Sequence, residues 1–190
     1  MALTLFSRTR NTPEPKHTPQ PQPERGETWK PEGVIVTQRF IGLAGAIVLV
    51  YTADAGVNGT TYAVACLGCP FRTRTNNRDY SISTEQAGAE IANAHAAQCR
   101  ALPRDLPARP DDDTAREIVR RRLNAERQSD YDTLVYLTSF HLDRLALQRS
   151  TEWIEEEMQR LADEQPDSLT AQPRSYAPGT EFTILRRPQR

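Results

Sequence analysis

The three cysteines of this chain all fall in two short strings, CLGC at residues 66–69 and HAAQC at residues 95–99. The spacing is C-x2-C, then twenty-five residues, then H-x3-C. A two-residue turn can aim both sulfurs of the first pair at one point. Ligands four apart in a helix differ by about 40° around its axis and stand one turn from each other. The pattern therefore requires a strand end, a turn and a helix to meet.

Tetrahedral sites built from thiolates and imidazoles are typical of structural zinc. We predict that Cys66, Cys69, His95 and Cys99 hold a structural Zn²⁺, since four protein ligands leave no position for a catalytic water. Two alternatives stay open. A redox pair needs its first cysteine at a helix N-terminus, whereas Pro70 and the alternating FRTRT favour a strand. The second alternative is that the three cysteines are inert, buried thiols, because free cysteine is often buried.

The sequence before the first cysteine pair predicts an antiparallel meander. Three stretches rich in β-branched and aromatic residues, GVIVTQRFIG, AIVLVYTAD and TTYAVACL, are separated by the turn strings GLAG and AGVNG. In the third stretch Tyr62, Val64 and Cys66 share one face of the pleat. FRTRT and YSIS then predict a hairpin with its tip at Asn76 and Asn77.

An alanine-rich helix is predicted to carry the second ligand pair. Ser83 is the expected N-cap, Gln86 completes a capping box, and Pro103 stops the helix. The predicted fold class is α+β: a small antiparallel sheet and one helix around a Cys3His zinc site, followed by an α-helical segment.

From Tyr62 to about Leu102 the chain resembles zinc-finger proteins of the ββα type, in which a strand–turn pair of cysteines meets two ligands late in the following helix. The resemblance places the two cysteine strings in the ligand positions and implies a C2HC finger that binds DNA. The chain departs from the family in having twenty-five residues between the ligand pairs, against about twelve, and cysteine as last ligand. It also resembles small proteins encoded on plasmids and phages of GC-rich bacteria.

Composition divides the chain into five parts. Residues 1–32 hold six prolines and few apolar side chains, which predicts a disordered arm. Residues 33–104 form the predicted zinc domain and residues 105–113 a linker. Residues 114–165 are predicted to be an acidic, amphipathic helical segment, and residues 166–190 a mostly irregular tail with one strand-like piece, FTILR.

Apolar residues recur at helical spacing through the segment 114–165, which predicts two or three helices or one interrupted long one. Because His141 stands inside an apolar stripe, we interpret it as an interface histidine with satisfied polar atoms. The three series are Ile118, Val119 and Leu123; Tyr131, Leu134, Leu137, Phe140, His141 and Leu145; and Trp153, Ile154, Met158 and Leu161.

Arginines cluster around the predicted zinc domain. Residues 60–110 carry six arginines against four acids, a net charge of +2, in a chain whose formal net charge is -1. Such a surface can bind phosphate, although on that balance a merely solvated face is the alternative. The predicted nucleic-acid contacts are Arg72, Arg74, Arg78, Arg100 and Arg104. We interpret the run RRR at residues 120–122 as a solvated helix face.

No sequence pattern favours an enzyme. There is no nucleophile with a matching base, no Gly-rich phosphate loop, no carboxylate pair and no evident small-molecule substrate, so a thiol oxidoreductase is the closest enzymatic alternative. The longest apolar run, Phe40–Tyr51, has twelve residues, short of the roughly twenty that span a membrane. With no signal-peptide pattern at the N-terminus, we expect a cytoplasmic protein.

Two functions are expected from these features. The first is a non-catalytic zinc protein that acts as an accessory or regulatory factor and binds nucleic acid through the arginine-bearing finger. The second is a protein–protein adaptor, in which the zinc module is purely structural and the helices of residues 114–165 self-associate or bind a protein partner.

Overall fold

The protein is described here by a computed structural model that covers residues 26, 28–54, 61–75, 84–128, 130–175 and 178–187. Most of the predicted arm, the predicted hairpin tip with its return strand YSIS, and Arg78 lie outside the described residues. Within them the fold is α+β, as predicted, with two antiparallel sheets instead of one.

The first sheet is the predicted meander. Its strands pair in chain order, all antiparallel, and β3 ends at the first cysteine. All seven residues of β2 are buried because both faces of the sheet are covered. The strands are β1 (Val34–Ile41), β2 (Ile47–Ala53), β3 (Ala63–Cys66) and β4 (Arg72–Arg74).

Helix α1 (Glu85–Ala96) covers one face of this sheet. Its Ala92 and Ala96 pack among the valines of β2 and β3, in the same cluster as Cys66. The N-cap is Thr84, whose hydroxyl accepts from the backbone N–H of Ala87 at 3.1 Å. The predicted capping box of Ser83 and Gln86 was wrong.

Gln86 does not cap the helix because its side chain donates to Glu90, one turn further along. The helix stops well before Pro103, so the predicted end was too late by several residues. A proline marks the last place at which a helix can continue, and does not fix the place where it ends.

The opposite face of the first sheet is covered by Trp29 and by residues from the C-terminal half, among them Leu145. Trp29 is buried, and the guanidinium of Arg39 donates to the carbonyl oxygens of Gly26 and Trp29. Ordered structure therefore begins before residue 32, where we expected the arm to end. The sequence signal for this contact was Trp29 itself, an isolated large apolar residue in a proline-rich stretch that packs on the first sheet.

The described part of the C-terminal half contains three further α-helices, one 3-10 helix and a second sheet. The sheet order is β5-β7-β6, all antiparallel. The elements are α2 (Asp112–Glu126), β5 (Thr133–Val135), a 3-10 helix (Leu137–Phe140), α3 (Arg144–Leu147), α4 (Thr151–Glu164), β6 (Leu169–Pro173) and β7 (Thr180–Ile184). The acidic segment is helical at both ends, but it is not helical throughout.

Two predictions about this half were wrong. The apolar series that begins at Tyr131 does not form one amphipathic helix, because residues 133–135 pair with β7 and leave Tyr131 and Leu134 exposed. The tail is not mostly irregular, since β6 and β7 form a hairpin that turns near Gly179, where φ is +112°. Strands as short as these can be predicted only when the strand that pairs with them is known.

The apolar faces of α2 and α4 lie against the second sheet in a core of their own. The predicted stripes of both helices pack there, with Trp153 partly buried and the other members buried, which confirms this part of the helical prediction. Met158 is fully buried. The core consists mainly of Ile118, Val119, Leu123, Phe140, Leu147, Ile154, Met158, Leu161, Phe182 and Ile184.

Polar contacts tie the two halves together. Arg144 is fully buried and donates to Thr151 Oγ1 at 2.9 Å, and its guanidinium lies 3.6 Å from Asp54 at the end of β2. Tyr51 Oη donates to the carbonyl oxygen of His141 at 3.1 Å. His141 is buried between the halves, and its Nδ1 lies 2.9 Å from a backbone carbonyl oxygen, so this histidine has the polar partner that we expected.

The predicted linker of residues 105–113 is packed against this junction. The side chain of Gln148 donates to the carbonyl oxygen of Pro107 at 2.9 Å, and Arg149 donates to that of Pro110 at 2.7 Å. Asp111 caps α2 by accepting from the backbone N–H of Thr114 at 2.7 Å. The segment therefore holds the halves in contact instead of separating them.

The junction predicts a large stability effect at Asp54. Asp54→Ala leaves the buried Arg144 without its carboxylate, so we expect the free energy of unfolding to fall by about 3 kcal/mol. The matched control is Asp113→Ala, whose carboxylate is almost fully exposed in its pair with Arg116; it should cost less than about 1 kcal/mol. Urea denaturation followed by circular dichroism measures both, and equal losses would contradict the role of the junction.

Candidate metal centre

The two cysteine strings meet in the folded chain. Cys66 is the last residue of β3, Cys69 lies in the turn after it, and His95 is in the last turn of α1. One ligand atom from each of these residues and one from Cys99 lie within 4.8 Å of one another. The predicted ligand set is therefore brought together and can hold a metal ion.

Two distances within this cluster match the edges of a four-coordinate site. Cys66 Sγ and Cys99 Sγ are 3.9 Å apart, and Cys69 Sγ is 3.5 Å from His95 Nε2. A tetrahedron with metal–sulfur bonds of about 2.3 Å and metal–nitrogen bonds of about 2.0 Å has S···S edges of about 3.8 Å and S···N edges of about 3.5 Å. A disulfide would bring two sulfurs to about 2.05 Å, and all three cysteines are free thiols.

The turn between the first two cysteines is shaped by Gly68. Its backbone N–H points to Cys66 Sγ at 3.4 Å, and a methyl group at this position would lie 2.6 Å from the carbonyl oxygen of Leu102 and 2.5 Å from Ala46 Cβ. Only glycine allows the turn to approach the segment after Cys99 so closely. The turn and that segment are thereby packed together.

Cys99 reaches the site from outside the helix. We expected it one helical turn after His95, but α1 ends at Ala96. Cys99 still lies one turn from His95, because its backbone N–H donates to the carbonyl oxygen of His95 at 2.9 Å as it would in a helix. The carbonyl oxygen of Cys99 accepts from Leu43 at 2.9 Å, which fixes the segment to the β1–β2 turn.

Phe71 orients the histidine. Its ring stacks on the imidazole of His95 with 3.9 Å between the ring centroids and 9° between the planes. The stack directs Nε2 to Cys69. Sequence reasoning missed this role of Phe71. The only signal in the sequence was an aromatic residue two positions after C-x2-C.

Burial changes the chemistry of Cys66. Removal from water, with a smaller contribution from neighbouring Cys69, raises the pKa of the Cys66 thiol to about 11. Without metal, this group is a protonated thiol at neutral pH, and a bound cation displaces its proton. Cysteines of redox-active Cys-x2-Cys pairs have a lowered pKa, so the environment of Cys66 is of the opposite kind.

Three of the predicted arginines lie on the side of the sheet opposite α1. Arg72 and Arg74 are exposed on β4, and because they pair with Ala65 and Ala63 they share the face of those alanines. Arg72 also lines a pocket of about 400 Å³ together with Arg104. Cys69 contributes to the same pocket, which places it directly beside the metal centre.

The remaining candidates do not join this group. Arg100 is exposed but does not line the pocket, and Arg78 is outside the part of the chain that the structure describes. Sequence reasoning also missed the pocket, since Leu142 and Leu145 in its wall belong to the C-terminal half. No local signal could indicate contacts between segments so distant along the chain.

Comparison with protein-family models, with characterised proteins and with solved structures finds no match to this chain. Among the described residues, no helix has the length and apolar content needed to cross a membrane. A functional assignment therefore rests on the residues of the site.

The geometry predicts one metal ion per chain. Protein purified under reducing conditions should contain about one divalent ion per chain by elemental analysis. Cys99→Ala should lose it and lower the melting temperature, because one ligand is gone and the buried thiol of Cys66 loses its partner. The control is Gln98→Ala, an exposed neighbour that should keep the ion. Equal metal content in both variants would contradict the assignment.

Proposed function

We propose that this protein is a non-catalytic zinc protein, an accessory or regulatory factor that binds nucleic acid through the arginines beside its metal centre. The observation that carries the proposal is the position of Arg72 and Arg104 in one pocket with the ligand Cys69. The metal centre and the phosphate-binding residues would then form one unit.

The ligand chemistry supports zinc. Three thiolates and one imidazole form a soft, four-coordinate set that suits zinc better than magnesium or calcium, which take oxygen ligands. The resemblance to C2HC fingers points to the same ion. A closed set of four protein ligands has no open position for substrate, which supports a structural and non-catalytic role.

Zinc would position the arginines directly. Arg72 follows Cys69 by three residues, and Arg104 follows Cys99 by five residues. An ion that joins Cys69 to Cys99 therefore fixes both backbone segments from which the two guanidinium groups project. Removal of the ion should weaken nucleic-acid binding even if the rest of the fold persists.

The charges on this surface are available to a ligand. Among the described residues, no carboxylate forms an ion pair with Arg72, Arg74 or Arg104. In contrast, Arg120 and Arg122 of the RRR run are paired, with Glu117 and Asp143 respectively. Guanidinium groups without a partner bind phosphate well, because their fork of N–H donors matches its oxygens.

A second candidate function is the protein–protein adaptor, and one observation supports it. Ile41, Leu43 and Leu102 are 66%, 63% and 72% exposed, and the backbone of Leu43 is bonded to that of Cys99. These exposed apolar side chains offer a better contact surface than the apolar faces of α2 and α4, which the second sheet covers. None of these three side chains lines the arginine pocket, so variants can distinguish the two functions.

The arginine surface makes a charge-specific prediction. Arg72→Ala with Arg104→Ala should weaken binding to a short DNA or RNA strand about tenfold at moderate salt and reduce the slope of log K against log salt by about 1.5. The matched control removes two exposed charges elsewhere, with Arg121→Ala and Arg186→Ala, and should bind nearly as wild type.

Fluorescence anisotropy at several salt concentrations measures both variants. Equal weakening by the two pairs would mean that only net charge matters. If the wild-type protein binds neither DNA nor RNA at low salt, nucleic-acid binding is removed as a function and the adaptor remains.

A further inference from the structure

The pocket at the metal centre is a recess with two chemical characters. It lies where the turn after β3, the segment of residues 104–107 and the residues before and within α3 come together. Its wall includes the apolar side chains of Phe71, Leu142 and Leu145. Two cations and one anion line it as well: Arg72, Arg104 and Asp105.

This combination limits what the pocket can accept. The volume of about 400 Å³ is within the range of small-ligand sites. Apolar walls favour a flat ring, the carboxylate of Asp105 can accept a hydrogen bond from an amino group on that ring, and the arginines require phosphate or another anion. A nucleobase with its phosphates carries all three features.

We propose that the pocket holds one unstacked base of a single-stranded nucleic acid, with Arg72 and Arg104 on the phosphates beside that base. The inference rests on the proposed function and names its substrate class. A base in a duplex is paired and stacked, so it reaches a recess only after it has left the helix. An unstacked base of a single strand enters at a smaller cost, because its faces and edges are already free.

The surroundings of the pocket favour a strand over a free nucleotide. Arg74 is exposed on β4 two residues after Arg72 and shares its face of the sheet, but it does not line the pocket. A polyanion that extends beyond the pocket meets this additional positive charge, whereas a single nucleotide does not.

The test compares three probes with the full-length, zinc-loaded protein: a single strand of about twelve nucleotides, the duplex of the same sequence, and a strand of equal length without bases. We expect the single strand to bind about tenfold more tightly than the strand without bases, because one base is lost from the pocket. The duplex should resemble the strand without bases. This comparison uses only the wild-type protein.

A pocket-filling variant locates the effect. Ala146 is exposed and lines the pocket, so Ala146→Trp fills the recess from its rim without a change in charge. It should weaken binding of the single strand about tenfold and leave the strand without bases unaffected. Ala125→Trp, at an exposed position on α2 that does not line the pocket, is the control and should bind as wild type.

The outcomes separate the two proposals. If the strands with and without bases bind equally and Ala146→Trp has no effect, the base pocket is overturned, and a loss in Arg72→Ala with Arg104→Ala would still support nucleic-acid binding. If a nucleoside monophosphate binds as tightly as the strand, single-strand recognition is overturned. If no probe binds at low salt, the proposed function fails and this inference fails with it.

Discussion

The rest of the structure depends on the convergence of three sulfurs and one imidazole nitrogen on a single point. All four ligand atoms lie within 4.8 Å of one another, and the two separations of 3.9 Å (Cys66 Sγ to Cys99 Sγ) and 3.5 Å (Cys69 Sγ to His95 Nε2) match edges of a tetrahedron around a metal ion. The site joins the end of β3, the turn after it, the end of α1 and the segment beyond. The end of β3, the turn after it and the segment beyond α1 all contribute residues to the pocket, so the ion would organise function by organising the backbone.

A second constraint comes from the junction between the halves. Because β2 is buried on both faces, the C-terminal half has to pack on the sheet, and the buried Arg144 with Asp54 fixes the place where it does so. The pocket is a product of this packing: one wall belongs to the metal turn and another to Leu142 and Leu145. Neither half alone would form it, which makes a cut at the predicted linker a poor way to separate functions.

Sequence reasoning was most successful where the signal is local or chemically specific. The meander, the ligand set and the apolar stripes of α2 and α4 follow from alternation, ligand type and helical period. The second sheet was not predicted because β5 has three residues and its partner lies some fifty residues away. The stack of Phe71 on His95 and the pocket also depend on contacts that only the folded chain creates.

The most direct test of the central claim is X-ray absorption spectroscopy at the zinc edge on protein purified under reducing conditions. We predict one zinc per chain with three sulfurs at about 2.3 Å and one nitrogen at about 2.0 Å. A spectrum with fewer than three sulfurs, or with a coordination shell of oxygen, would contradict the claim. So would protein that is fully folded with its three thiols free and no metal bound.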